Sequence, residues 1–243
     1  MTTSVADHYQ THLAPIYVWM AGGLDAAVER GSSELAAVLP GLPAGTTVVD
    51  LGAGFGMHAI PLGRLGCSVI ALDSSALLLR ELSKHTLALP VKVVEGDLLS
   101  FQRHVDTAVD VILVMGDTLT HLADRASIQQ LFVLAAASLR QHGKFIATFR
   151  DYTKPLVGNE RFILVRSDDE RILSCFLEYG ADTVEVNDVL LERHPSGWQQ
   201  RISAYRKLRL SPEWVSSELR AAGFSVQREA GMSGMVRIIA TRG

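Results

Sequence analysis

Val48-Val49-Asp50-Leu51-Gly52-Ala53-Gly54-Phe55-Gly56 is the stretch that decides how this chain folds. An apolar run ends in an acid and breaks into glycines at alternating positions. An apolar helical pattern follows over residues 57–65. That order reads as a buried parallel strand, a tight turn and a helix, the entrance to a nucleotide-binding crevice. Alternating glycines let the backbone take positive φ and approach a ligand closely. Glycine turns also join strands to helices that bind nothing, so the stretch points to a fold before it points to a function.

Outward from this turn, strand-like and helix-like runs alternate. Strands are expected at 46–50, 68–73, 91–95, 109–115 and 144–149, and helices at 57–65, 75–85 and 127–141. Parallel strands joined by helices cross over right-handedly, so helices cover both sheet faces. Residues 1–39 read as helical, broken at Pro15, with a second helix over 24–39 that Pro40-Gly41 ends. After Phe149 the rhythm changes. Runs at 161–167, 171–179, 183–193 and 198–210 lack intervening helices. Ser167-Asp168-Asp169, Gly180-Ala181-Asp182 and Pro195-Ser196-Gly197 separate them, as in an antiparallel meander. Ser211, Pro212 and Glu213 then open a helix as N-cap, first position and first-turn acid. Gly223 ends it, and strands at 224–228 and 235–241 close the chain.

The predicted fold is α/β: a seven-stranded, mostly parallel, Rossmann-like sandwich with an inserted antiparallel β meander. Residues 1–45 form a helical lid and 46–150 the nucleotide-binding core. Residues 151–210 form an insertion that covers the cleft or builds a dimer contact, and 211–243 complete the core.

Composition narrows the function. Of 243 residues, 48% are apolar and the net charge is −3. No basic field draws the chain to nucleic acid or membrane. Arg201, Arg206, Lys207 and Arg209 alternate with apolar residues on one strand and read as a solvated face. Cys67 and Cys175 sit in apolar runs, as core thiols rather than a disulfide or metal framework. There is no metal-ligand motif, no signal-peptide pattern and no apolar run long enough to span a membrane. A soluble, cytoplasmic protein is expected.

The chemistry lies in acids that follow strands. Asp50 closes the first, Asp73 the second, and Asp97 follows the third in Glu95-Gly96-Asp97-Leu98. Strand C-termini share one edge of an open parallel sheet, so these carboxylates are expected to line one crevice. A nicotinamide-binding Rossmann fold competes, but its glycine fingerprint meets Met57 where the last glycine belongs.

Here the chain resembles the class I S-adenosylmethionine-dependent methyltransferases, over about residues 46–149 and more weakly over 211–241. Asp50 to Gly56 resembles the family's first motif, and Asp73 stands at the acid that holds both ribose hydroxyls. Gly96-Asp97-Leu98 is similar to the adenine-contacting motif, and Asp110 to Asp117 to the motif that flanks the methionine and methyl. Gly116-Asp117-Thr118-Leu119-Thr120-His121-Leu122 is similar to a run in glycine, sarcosine and amino-sugar N-methyltransferases, which commonly have asparagine where this chain has Asp117. The resemblance implies S-adenosylmethionine as cofactor and a small-molecule acceptor methylated on nitrogen or oxygen. The expected cofactor residues are Tyr9, Tyr17, Asp50, Gly52, Ala53, Gly54, Gly56, His58, Asp73, Ser74, Gly96, Asp97, Leu98, Met115, Gly116, Asp117 and Leu119.

The chemistry suits that donor. One carboxylate can take two vicinal hydroxyls, Asp97 can accept from an adenine amino group, and the glycine turn can offer backbone N–H groups to the methionine end. An in-line methyl transfer needs positioning and desolvation more than a base when the acceptor is a neutral amine. On the acceptor side, His121 is the candidate for positioning or proton removal. Arg150 could clamp an acidic group, and Tyr152 follows the same strand. Tyr9, His12, Tyr17 and Trp19 are candidates for an aromatic lid. A non-catalytic S-adenosylmethionine sensor and a protein methyltransferase are the alternatives.

Overall fold

The computed structural model describes residues 4–243; Met1 to Thr3, the start of the expected lid, lie outside the described residues. A nearly continuous helical path opens the chain: α1 (Val5–His8), a π-turn (Tyr9–Leu13), a 3-10 turn (Ala14–Ile16) and α2 (Tyr17–Met20). Pro15 sits in the 3-10 turn, where it interrupts regular α-helix because it lacks an N–H and crowds the preceding turn. α3 (Leu24–Val38) follows.

The core alternates β1 (Thr47–Leu51), α4 (Ala59–Arg64), β2 (Ser68–Asp73), α5 (Ala76–Thr86), β3 (Val91–Glu95), a 3-10 turn (Leu98–His104), β4 (Val109–Val114), a second 3-10 turn (Thr118–His121), α6 (Arg125–Ser138) and β5 (Leu139–Phe149). The insertion is β6 (Phe162–Ser167), β7 (Arg171–Tyr179), β8 (Thr183–His194) and β9 (Gly197–Leu208). α7 (Pro212–Ala221), β10 (Phe224–Ala230) and β11 (Val236–Arg242) close the chain.

The main sheet has seven strands in the order β10-β11-β5-β4-β1-β2-β3, and β11 is antiparallel to both its neighbours. Strand order reverses between β1 and β4, so the crevice opens at their C-terminal ends. β1 is buried on both faces because one apolar layer lies on each side: Phe101, Phe132, Phe145 and Leu219 on one, Val28, Leu35, Ile60 and Leu82 on the other. The insertion forms its own antiparallel sheet, β6-β7-β8-β9. Its inner face meets the N-terminal helical segment, where Leu173 and Leu190 pack with Leu13 and Ile16.

The largest departures from the expected bounds are in α6 and β5. α6 starts at Arg125 because the Asp124 carboxylate accepts the Ser127 N–H at 2.7 Å and moves the cap upstream. β5 starts at Leu139, which takes an extended conformation and pairs with Val109.

Candidate active site

Each of the three glycines in the opening stretch takes positive φ: Gly52 at 77°, Gly54 at 55° and Gly56 at 99°. At Gly52 a Cβ would lie 2.6 Å from the Thr118 side chain, and at Gly56 one would lie 2.3 Å from Leu82 Cδ1. The turn therefore packs against two neighbouring elements at once. Its amides are spent inside the protein, contrary to the expectation that they face a ligand. Gly52 and Ala53 N–H donate to Leu72 O, Gly56 N–H to Ala53 O, and Gly54 N–H to Asp73 Oδ2 at 2.8 Å. Ser75 N–H holds Asp73 Oδ1 at 2.8 Å. Both carboxylate oxygens are thus aimed by backbone and keep spare lone pairs. Burial raises the Asp73 pKa, and these N–H donors oppose the rise.

Asp73 and Ser74 line a cleft of about 420 Å³ with Gly52, Ala53, Gly54, Gly96, Asp97, Leu98, Met115 and Gly116. Tyr9 and Tyr17 of the N-terminal segment, His58 and His121 complete it. Asp97 is exposed and caps the turn after β3 through Leu99 N–H at 2.7 Å. Three expected residues stand behind the wall. Asp50 is 1% exposed, beneath the glycine turn, with Oδ2 unpartnered among the described residues. Gly56 faces Leu82, and Leu119 is fully buried in the core. Strand alternation explains Asp50, since successive side chains point to opposite faces.

A second cavity of about 760 Å³ adjoins the cleft, sharing Tyr9, Tyr17, Phe55, Met57, His58 and Gly116. Arg150, Tyr152 and Asp117 line this chamber instead of the cleft. Asp117 has φ 76°, a left-handed conformation that asparagine and aspartate tolerate best among residues with a Cβ. Its Oδ1 accepts Arg150 N–H at 2.9 Å, and its Oδ2 accepts Tyr152 OH at 3.2 Å and Lys207 Nζ at 2.6 Å. Burial alone would raise the Asp117 pKa; the Lys207 charge overcomes this and holds it below the usual range. Burial likewise lowers the Lys207 pKa, and Asp117, Tyr205 and Tyr152 more than reverse that. Tyr152 is pushed up to about 12 by burial. The Arg150 guanidinium is exposed and donates to Ser233 O.

Lys207 is a residue that sequence reading missed. Sequence alone groups it with Arg201, Arg206 and Arg209 as a solvated face. The strand period separates them: Tyr205 and Lys207 point inward, while Arg206 is exposed and pairs with Glu185. Arg201 pairs with Glu192, and Arg209 bonds the backbone oxygens of Tyr152, Thr153, Gly180 and Ala181. Cys67 is buried in the core, but Cys175 lies on the chamber wall, its thiol pushed up to about 11 by burial.

His121 stands where cleft and chamber meet. Its Nε2 is 3.3 Å from Tyr9 OH, and its ring stacks on Tyr205 at 5.6 Å. Its Nδ1 is buried without a partner among the described residues. Burial first, and the Lys207 charge second, lower its pKa to about 3. His58 Nε2 is tied to Glu34 Oε2 at 2.8 Å. Of the lid candidates, Tyr9 and Tyr17 border both cavities. His12 is buried against His8, and Trp19 donates to Asp168.

Residues 48–143, which supply the glycine turn, Asp73, Asp97 and His121, match a family model described as a methyltransferase domain. This segment is a methyltransferase domain. Over 161 residues the chain is 31% identical to the cypemycin N-terminal methyltransferase of a Streptomyces species, covering 58% of this chain and 63% of that one. The chain spans less than two thirds of the length of the curated relatives it matches. In fold it is similar to the CcbJ methyltransferase of Streptomyces caelestis, with a TM-score of 0.79, 22% identity and 97% of each chain covered. It is also similar to CalS10, an amino pentose methyltransferase of Micromonospora echinaspora solved with S-adenosylmethionine bound. There the TM-score is 0.76 at 16% identity, over 94% of this chain and 96% of that one. The methyltransferase domain therefore sits in a chain whose whole fold, insertion included, has counterparts among solved methyltransferases.

Proposed function

We propose that this chain transfers a methyl group from S-adenosylmethionine to an amine nitrogen of a small molecule. The cleft suits the donor. Asp73 presents a backbone-fixed carboxylate to vicinal ribose hydroxyls, Asp97 keeps an oxygen for the adenine amino group, and Tyr9 and Tyr17 cover the end nearest the chamber. When bound, S-adenosylmethionine supplies the methyl on a positively charged sulfur, which leaves as a neutral thioether.

The environment of His121 is the observation that favours nitrogen. A hydroxyl acceptor needs a base near neutrality, and His121, Tyr152 and Asp117 are poorly suited to that role. His121 is held near pKa 3, Tyr152 near 12, and Asp117 is neutralised by Lys207. A neutral amine brings its own lone pair and needs only placement. His121, through Tyr9, and the Asp117–Lys207–Tyr152 cluster fix the walls around it and exclude water. Two of the relatives' names are consistent with an amine acceptor, an N-terminal methyltransferase and an amino pentose methyltransferase, whereas a further relative, 31% identical over 128 residues, is a ubiquinone biosynthesis O-methyltransferase of a Methylobacterium species. The reading also takes a second copy of the chain as a partner, through the outer face of the insertion.

The test is label transfer. Purified protein is incubated with methyl-labelled S-adenosylmethionine and a host extract separated into small-molecule, protein and nucleic-acid fractions. Label on an amine in the small-molecule fraction is expected. Label only on oxygen would refute the nitrogen assignment, and label in a polymer would refute the substrate class. Tight cofactor binding with no transfer to any fraction would favour a sensor.

A further inference from the structure

Asp117 and Asp188, which line the chamber, already have side-chain partners. Asp117 holds Lys207, and Asp188 holds His8 Nε2 at 3.0 Å. Among the described residues, the arginines of the same wall have no carboxylate partner. Arg30 of α3 donates to Ala21 O, and Glu34, one turn further on, is turned to His58 instead. Arg166 of β6 lies over the Trp19 ring at 5.7 Å, and its Nε is buried without a hydrogen-bond partner among the described residues. Asp168, two residues on, takes the Trp19 N–H rather than Arg166.

These guanidinium groups converge from different parts of the fold. A Cβ on Gly22 would lie 3.3 Å from Arg166 Nη1 and 3.5 Å from Arg30 Nη1, so both flank one glycine. Gly22 has φ 92°, and its bare Cα leaves room for both. Like charges brought together and partly removed from water repel, and a shared anion converts the repulsion into charge-assisted hydrogen bonds. A planar fork matches the two oxygens of a carboxylate.

We infer that Arg30 and Arg166 form a carboxylate-binding subsite on the chamber wall. The inference rests on the methyltransferase reading only for what else occupies the chamber. Two molecules could present the carboxylate: an acidic acceptor, or the amino-acid end of the cofactor. Because both arginines line the chamber and neither lines the cleft, the placement favours an acceptor that carries an acid group as well as its amine.

The experiment is calorimetry on the full chain, wild type against Arg166→Gln and Arg166→Lys, with melting curves to confirm folding. In one arm, protein saturated with S-adenosylhomocysteine is titrated with 4-phenylbutyrate and its neutral amide. In the other, free protein is titrated with S-adenosylhomocysteine and with 5′-methylthioadenosine, which lacks the amino-acid end. A preference of at least tenfold for 4-phenylbutyrate over the amide, lost in Arg166→Gln and partly kept in Arg166→Lys, supports the subsite with the acceptor as source. A tenfold loss confined to S-adenosylhomocysteine supports the subsite with the cofactor as source. If Arg166→Gln changes neither arm, the subsite is wrong. Failure of the wild type to bind either nucleoside would count against the methyltransferase reading instead, and 4-phenylbutyrate on the free protein would still test the clamp.

Discussion

Asp50 and Asp73 lie at the C-terminal ends of neighbouring strands, one residue before the end of β1 and at the end of β2, one beneath the site and one at its wall. Asp73 reaches the cleft with both oxygens held by N–H donors. Asp50 is buried, and burial raises its pKa to about 6. The sign follows from the two pKa values. Below the ordinary 3.8, Asp50 is protonated folded or unfolded and costs nothing. Between there and about 6 the unfolded chain ionises first, so stability falls as pH rises. The full penalty above that window is about 3 kcal/mol. Asp50→Asn is therefore expected to gain about 1–2 kcal/mol at pH 7 and nothing below the window, in denaturant titrations across pH. Equal stability of the two proteins at every pH would show that Asp50 is not an ionised burden in the fold.

Elements bring together what single residues cannot. The 3-10 turn after β4 supplies Asp117 and His121, β9 supplies Tyr205 and Lys207, and the segment after β5 supplies Tyr152. The N-terminal helical path locks onto the insertion through His8, whose ring bonds Asp188 and Ser203 and stacks on Tyr205 at 4.0 Å. That contact holds Tyr9 at the wall of the cleft. The Asp117–Lys207 pair is nearly dry, with side chains 6% and 11% exposed. Removing one partner strands the other charge. Lys207→Met should cost about 3–5 kcal/mol, while Lys207→Met with Asp117→Asn should return most of it. A double-mutant cycle by chemical denaturation measures this, and additive losses would mean that the pair is not coupled.

At the scale of the whole molecule, the insertion has two distinct faces. Directly paired residues share a face, so Cys175, Asp188, Tyr205 and Lys207 look into the chamber. The opposite face carries rows such as Leu164, Ser174, Val189 and Ile202, beside Phe162 and Phe176, and Leu164 also borders the chamber. Phe162 and Leu164 are each 64% exposed and Ile202 62%, an unusual surface for an isolated sheet. Two copies packed through this face would bury roughly 1,000 Å² or more in total, the lower range of a stable interface. Sedimentation velocity is expected to show a dimer, and Leu164→Glu with Ile202→Glu a monomer; a monomeric wild type at micromolar concentration would refute this pairing.

The parallel core was legible from the sequence because its signals are local. Its strands β2 and β3 lie where the apolar runs placed them, as does β7 of the insertion, and the glycine turn and strand-end acids mark the crevice through chain connectivity alone. Lys207 was not legible, because a lysine among arginines looks solvated until strand register fixes which way it points. Nor was the Asp50 position behind the wall, the use of the turn's amides on Leu72 and Asp73, or the meeting of Arg30 and Arg166 at Gly22. By itself, the sequence determined the elements, their order and the edge of the sheet that holds the site. The tertiary structure decided which side chains face which cavity and which charges are already paired. Those outcomes depend on contacts between residues tens to almost two hundred positions apart, such as His8 with Asp188, and no local pattern encodes them.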